Sequence, residues 1–237
     1  MDAEKIRKPA IDLSRFTPVD IEQSRKLEES ERKGMEEQRQ QALEAHFRSR
    51  ESGVGKRYQN ASLDKFAPRT KSEAEAFEAV KSYISEPRQR KNLFMYGSYG
   101  TQKTFLGCCI VRRFGGVIIT ALKLVVEYQS AANFSSKKTQ KDVLEYYSGV
   151  PMLVIDESGR GIKSELEKEI INYIANERYS NLLPFVIITN LGIKEYADFI
   201  GKPLVDRLNE TCVSCYFDGP SRRLPGNQPS ALQTLSA

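Results

Sequence analysis

The sequence predicts an α/β fold built on a parallel sheet, and three observations carry that prediction. Five short apolar runs, at 92–96, 116–120, 152–156, 185–189 and 213–217, are separated by amphipathic segments. Continuous apolar runs bounded by polar turns are the pattern of strands covered on both faces, and their alternation with helices implies crossover connections. The first run passes straight into a glycine-containing loop followed by a helical stretch, the setting of a phosphate-binding turn. With 237 residues, 40% apolar and 28% charged, the chain has enough apolar side chains for a core, and its length suits one large domain with an appendage.

Residues 1–55 differ from the rest and are read as a charged helical region ending in a hinge. Thr17-Pro18-Val19-Asp20 is a helix start, with Thr17 as N-cap, Pro18 at the first helical position and Asp20 as the capping carboxylate. Leu27, Met35, Leu43 and Phe47 recur at multiples of four and form one thin apolar stripe on an otherwise charged helix. Two readings stay open: a solvated helix, or a helix that gains order against a partner. Ser52-Gly53-Val54-Gly55 reads as a flexible hinge. Residues 56–223 form the α/β domain, which opens with a helix over 72–85 presenting Phe77, Val80 and Ile84 on one face. The Pro/Ser/Gln-rich stretch 224–237 is expected to be disordered.

Composition excludes several chemistries. A single histidine, His46, removes most metal, Ser–His and Cys–His mechanisms, leaving Lys, carboxylates and backbone amides. The net charge of +5, from 36 basic and 31 acidic residues, says little about nucleic acid. No apolar run is long enough for a membrane span, and the charged N-terminus lacks the apolar core of a signal peptide. Four cysteines in a chain of this length read as reduced thiols in a cytoplasmic protein. Cys108 and Cys109 read as small core residues. The Cys212-Val213-Ser214-Cys215 spacing reads as strand alternation and not as a zinc site.

The loop after the first strand is Gly97-Ser98-Tyr99-Gly100-Thr101-Gln102-Lys103-Thr104, followed by Phe105. Gly97, Lys103 and Thr104 are in Walker A register. In such a loop the backbone N–H groups and the helix N-terminus face phosphates, the lysine reaches the β/γ-phosphates, and the threonine hydroxyl binds Mg²⁺. Gln102 stands where the pattern has glycine. If the position requires positive φ, a side chain there costs about 1 kcal/mol, so weakened affinity or slow hydrolysis is expected.

The third strand ends in Asp156-Glu157, a Walker B pattern in which Asp156 holds Mg²⁺ through water and Glu157 orients or deprotonates the attacking water. The alternative is an acidic turn after a buried strand. The fourth strand delivers Asn190 to the same sheet edge, where α/β folds place ligand contacts.

Together with Asp206-Arg207-Leu208 and Gly219-Pro220-Ser221-Arg222-Arg223, these motifs resemble the AAA+ ATPases of the DnaC/IstB group, which includes replicative-helicase loaders and transposition helper ATPases. Arg57-Tyr58-Gln59-Asn60-Ala61-Ser62-Leu63 also resembles the group's entry segment, where the adenine side of the pocket is built. The resemblance implies an AAA+ P-loop domain with a five-stranded parallel sheet in the order 5-1-4-3-2 and a short lid. It implies that Asn190 is sensor 1, that Arg207 is an arginine finger for a neighbouring subunit's nucleotide, and that Arg223, or Arg222 one residue earlier, is sensor 2. In the group, the region corresponding to 121–149 contributes to single-stranded DNA binding. Here that region holds Lys137, Lys138 and Lys141 beside Tyr128, Phe134, Tyr146 and Tyr147, and the alternative is that its apolar residues are core and its lysines solvated.

The function expected from the resemblance is an ATP- and Mg²⁺-dependent loader. Its N-terminal helix would hold a replicative DNA helicase, and its AAA+ domain would bind single-stranded DNA and self-associate, with no membrane role. Two rivals remain: a transposition helper acting on duplex DNA with a transposase, and a nucleotide-responsive adaptor with negligible hydrolysis.

Overall fold

The structure is a computed structural model that describes residues 18–86, 91–133, 135–159 and 165–223. The expected Thr17 cap, the aromatic at Phe134 and the tail 224–237 expected to be disordered lie outside the described residues. The chain divides into two compact units, residues 1–42 and the remainder from Leu43 onward.

In the first unit the described residues belong to helix α1 (Pro18–Arg48), which runs unbroken past Gly34. Residues 22–42 are exposed apart from half-buried Gly34, and their order is local: Lys26 pairs with Glu22 at 2.8 Å and Lys33 with Glu29 at 2.7 Å, both at i,i+4 spacing. The apolar stripe divides along this boundary. Leu27 and Met35 are 62% and 64% exposed, whereas Phe47, in the second unit, is fully buried.

The second unit contains the predicted sheet. Its strands are β1 (Asn92–Gly97), β2 (Val117–Thr120), β3 (Leu153–Asp156), β4 (Phe185–Ile188) and β5 (Cys212–Phe217), all parallel, in the order β2-β3-β4-β1-β5. This is the expected 5-1-4-3-2 order. Alternate strand residues feed two cores. Leu93, Met95, Ile118, Val154, Val186, Ile188, Cys215 and Phe217 face α2 (Lys71–Ser85), α3 (Lys103–Phe114) and the end of α1. Phe94, Val117, Ile119, Leu153, Ile155, Phe185 and Ile187 face α4 (Ala121–Ser130), α5 (Gln140–Gly149), α6 (Glu165–Ser180), α7 (Ile193–Ile200) and α8 (Lys202–Thr211). Cys212 packs with the second core and Cys215 with the first, so they lie on opposite faces of β5 and cannot share a metal ion. All four cysteines are free thiols.

The hinge expected at 52–55 is corrected by the structure. Ser52 is fully buried and its carbonyl accepts from Ile118 N–H at 2.9 Å, while Val54 is buried in the first core. Gly53 sits at φ +72°, and a Cβ there would lie 1.9 Å from the Ile118 carbonyl oxygen. Glycine at this position permits a close approach to β2 and provides no freedom of movement. The preceding turn of α1 is likewise anchored, with Glu44 paired to Arg112 at 2.8 Å and the Arg112 guanidinium over the Phe47 ring. The compact unit therefore begins at Leu43, thirteen residues before the boundary expected from composition.

Between β2 and β3 the apolar residues divide between core and surface. Leu124, Val143 and Tyr147 are core, whereas Leu122, Val126 and Tyr146 are exposed, with Lys138 Nζ 5.6 Å from the centre of the Tyr146 ring. Lys141 pairs with Glu145 on its own helix.

Candidate nucleotide site

Sheet order creates the site. Because β4 lies between β1 and β3, the loops leaving the carboxyl ends of these three neighbouring strands converge on one edge. They line a cavity of about 260 Å³ that includes Tyr99 to Phe105 from the loop after β1, Asp156 and Glu157 after β3, and Asn190 after β4. Arg57 and Tyr58 from the entry segment and Arg222 and Arg223 after β5 complete the lining.

Gly97 and Ser98 form the base of the loop and do not line the cavity. Gly97 has φ +114°, and a Cβ there would come within 2.3 Å of the Phe217 carbonyl oxygen, which also accepts from Ser98 N–H at 2.7 Å. The loop's start is thereby fixed to β5. Its far end begins α3, whose first residues line the cavity, and the free N–H groups of a helix N-terminus favour anions. Lys103 is buried, and its Nζ donates to the Gly97 and Ser98 carbonyls at 2.8 and 2.7 Å. Burial pushes its ammonium down to about 8, against the opposing pull of Asp156. A polyanion in the cavity would favour its charged form.

Thr104 Oγ1 donates to Asp156 Oδ2 at 2.8 Å, joining the two motifs across β4. Burial raises the Asp156 carboxyl above the usual carboxylate range. A hydroxyl and a buried carboxylate this close are hard oxygen donors that fit Mg²⁺, which typically takes one or two protein oxygens and fills its octahedron with water and phosphate.

Gln102 occupies the strained geometry that its position implied, with φ +68° and ψ +25°. A non-glycine residue in this region costs about 1 kcal/mol or more. Its Oε1 is also buried without a hydrogen-bond partner among the described residues.

The two candidate sensor arginines differ. Arg222 is engaged: it pairs with Glu73, donates to the Ala67 carbonyl at 2.7 Å and lies over the Phe66 ring at 4.7 Å. Its backbone N–H donates to Gly100 O at 2.9 Å, tying the segment after β5 to the phosphate loop. The Arg223 guanidinium makes no hydrogen bond or ion pair among the described residues, and it acts on the Lys103 charge. Arg207 lies on α8 outside the cavity, donating to Pro203 O and stacked 5.8 Å from the Tyr179 ring.

Sequence reading missed the buried Glu73, one of three glutamates on a polar-looking helix, and a hydrogen-bonded group behind Glu157 made by Ser158, Glu167, Thr189 and Tyr196. Ser158 and Thr189 were adjacent to recognised motifs. Glu73, Glu167 and Tyr196 sit on helices whose patterns report burial and not polar partnership.

The fold and the strand-end arrangement are those of an AAA+ P-loop domain. A crystal structure of the DnaC helicase loader matches with a TM-score of 0.61 at 24% identity, covering 69% of this chain and 100% of that one. A structure of the replication initiator DnaA bound to AMPPCP and single-stranded DNA matches at 0.55 with 21% identity, over 71% of this chain and 53% of that one. No family model matches the chain. By sequence the chain is similar to replicative helicase loaders. It is 26% identical to DnaC of Escherichia coli (strain K12) over 185 residues, which is 75% of this chain and 76% of that protein. The resemblance read from the motifs is borne out. Among the described residues no helix is long and apolar enough to cross a membrane.

Proposed function

We propose that the protein is an ATP-dependent replicative-helicase loader. The observation that carries this reading is the convergence of the 97–105 loop, Asp156, Glu157, Asn190 and Arg223 at one sheet edge, in a chain whose relatives are helicase loaders. In this reading the loop amides and Lys103 bind the β- and γ-phosphates, displacing the lysine's contacts with Gly97 and Ser98. Arg57 and Tyr58 border the base, and Thr104 and, through water, Asp156 would hold Mg²⁺, which would neutralise charge on the phosphates when bound. Glu157 orients a water toward the γ-phosphorus and accepts its proton as the bond to the bridging oxygen breaks. Asn190 fixes that water or the γ-phosphate, and Arg223 faces the phosphates from the opposite side. Arg207 lies outside its own cavity, and in this reading it serves the nucleotide of a neighbouring copy, so that self-association completes the site. The exposed Leu27 and Met35 on α1 form the helicase-docking stripe. Single-stranded DNA is the nucleic-acid partner, with exposed Tyr146 and Lys138 available for stacking and phosphate contact.

Lys103→Ala is expected to lose ATP binding by about 100-fold or more while remaining folded, because the lysine contacts loop carbonyls and not core side chains. Glu157→Gln is expected to bind ATP normally and to stop turnover. Helicase capture that survives in Lys103→Ala but no longer responds to ATP would complete the case. Unchanged ATP affinity in a folded Lys103→Ala protein would overturn it. Gln102 favours a second reading, a nucleotide-responsive adaptor with negligible hydrolysis, since its strained geometry and unpartnered Oε1 lie in the phosphate loop. Single-turnover hydrolysis by the wild-type protein separates the two.

A further inference from the structure

Glu157 is a second non-glycine residue of the site in the left-handed region, at φ +56°. Such a conformation persists only where neighbouring bonds determine it, and here Asp156, Ile188 and Thr189 supply them. Glu157 N–H turns back to Asp156 Oδ1 at 2.8 Å. The next residue, Ser158, is fully buried and sends its N–H to Ile188 O at 3.0 Å. Its carbonyl accepts from Thr189 Oγ1 at 2.7 Å. The same Thr189 hydroxyl accepts from Leu191 N–H at 3.1 Å, and Thr189 N–H donates to Met95 O at 3.0 Å, two residues before Gly97. One fully buried hydroxyl therefore binds the carbonyl of Ser158, the residue after Glu157, and the amide that follows Asn190, while its own residue's N–H binds the strand that carries the phosphate loop. On the far side, Ser158 Oγ meets Tyr196 OH at 2.9 Å and Gly159 N–H donates to Glu167 Oε1 at 2.7 Å.

We propose that Thr189 is a positioning residue that holds Glu157 and Asn190 in one fixed geometry, with Tyr196 and Glu167 bracing the Glu157 loop from behind. The proposal rests on the reading of Glu157 as the water-orienting carboxylate. Thr189 does not reach the nucleotide; it acts through the two residues that do. Valine has threonine's shape without the hydroxyl, so Thr189→Val removes both bonds and retains the packing. Displacing a reacting group slightly costs up to about 100-fold in rate without weakening binding.

The test uses the full chain with Mg²⁺ and measures single-turnover ATP hydrolysis beside the affinity for a fluorescent ATP analogue. Thr189→Val is expected to hydrolyse about 10-fold or more slowly with affinity within about twofold, and Thr189→Ser is expected to recover most of the rate. Wild-type turnover in folded Thr189→Val, or rate and affinity falling together with the folded fraction, would overturn the proposal. Should Thr189→Val fail to fold, Tyr196→Phe decides: a fall of about threefold in rate at unchanged affinity supports the bracing role, and no fall overturns it. If Glu157→Gln turns over like the wild type, the underlying reading of Glu157 fails whatever Thr189 does.

Discussion

Residues 18–42 and the unit beginning at Leu43 are held together by different physics. The helical stretch is stabilised by its own i,i+4 pairs, each contributing about 0.3–0.5 kcal/mol, and it leaves Leu27 and Met35 in solvent. The α/β unit is stabilised by two cores flanking five strands, and several of its buried polar groups, such as Thr189 and Arg178, are bonded so as to hold a loop or a helix end. Apolar side chains that no core covers are available to a partner, whereas buried polar ones hold the geometry of a site. The two units therefore tolerate substitution in opposite ways.

The largest expected effect breaks the molecule at that boundary. Deleting residues 1–42 is expected to abolish helicase capture while nucleotide affinity stays within about twofold, checked by native mass spectrometry and analogue titration. A cut at residue 50 would also remove Phe47 and the Glu44–Arg112 pair, and so damage the α/β unit.

Inside that unit, Arg178 is fully buried and donates to the carbonyls of Tyr147, Ser148, Val150 and Pro184, closing the end of α5 against α6. Burial pushes its guanidinium down to about 10, so it remains charged at neutral pH. Arg178→Ala strands those acceptors and is expected to cost about 3 kcal/mol or more by urea denaturation. Gly53→Ala comes next, at about 2 kcal/mol, because alanine resists positive φ and its Cβ would meet the Ile118 carbonyl. A loss below about 0.5 kcal/mol, in the range of surface substitutions, would restore the hinge.

Gln102→Gly is expected to tighten ATP binding by about fivefold, equivalent to relief of about 1 kcal/mol of left-handed strain. Equal or weaker binding would mean that the glutamine amide contributes a contact to the nucleotide that outweighs its strain. The smallest effect belongs to α1. Glu29→Ala removes an exposed i,i+4 pair and is expected to shift stability by less than about 0.5 kcal/mol.

Much of the α/β unit was legible because its signals are local. Each strand announced itself as an apolar run, and each phosphate-site residue stood beside a strand end, as with Asp156 after β3 and Asn190 after β4. The hinge was misread for the same reason: Ser-Gly-Val-Gly has a linker's composition, and only the carbonyl of Ile118 against Gly53 reveals that glycine serves close packing there. The choice between Arg222 and Arg223 was equally beyond composition, since adjacent arginines are identical in type and differ only in Glu73, which pairs with one of them from nearly 150 residues away.

By itself the amino-acid sequence determined the alternation of strands and helices, the phosphate loop with its anomalous Gln102, and the carboxylates that face it. Those properties depend on residue type and short spacing, which the chain carries before it folds. Tertiary structure decided which polar groups are buried together: Glu73 with Arg222, Arg178 with four carbonyls, and Thr189 with the Ser158 carbonyl and the Leu191 amide. A hydroxyl or carboxylate has no preferred partner until packing removes water and leaves one donor or acceptor within reach, so these pairings come into being only with the fold.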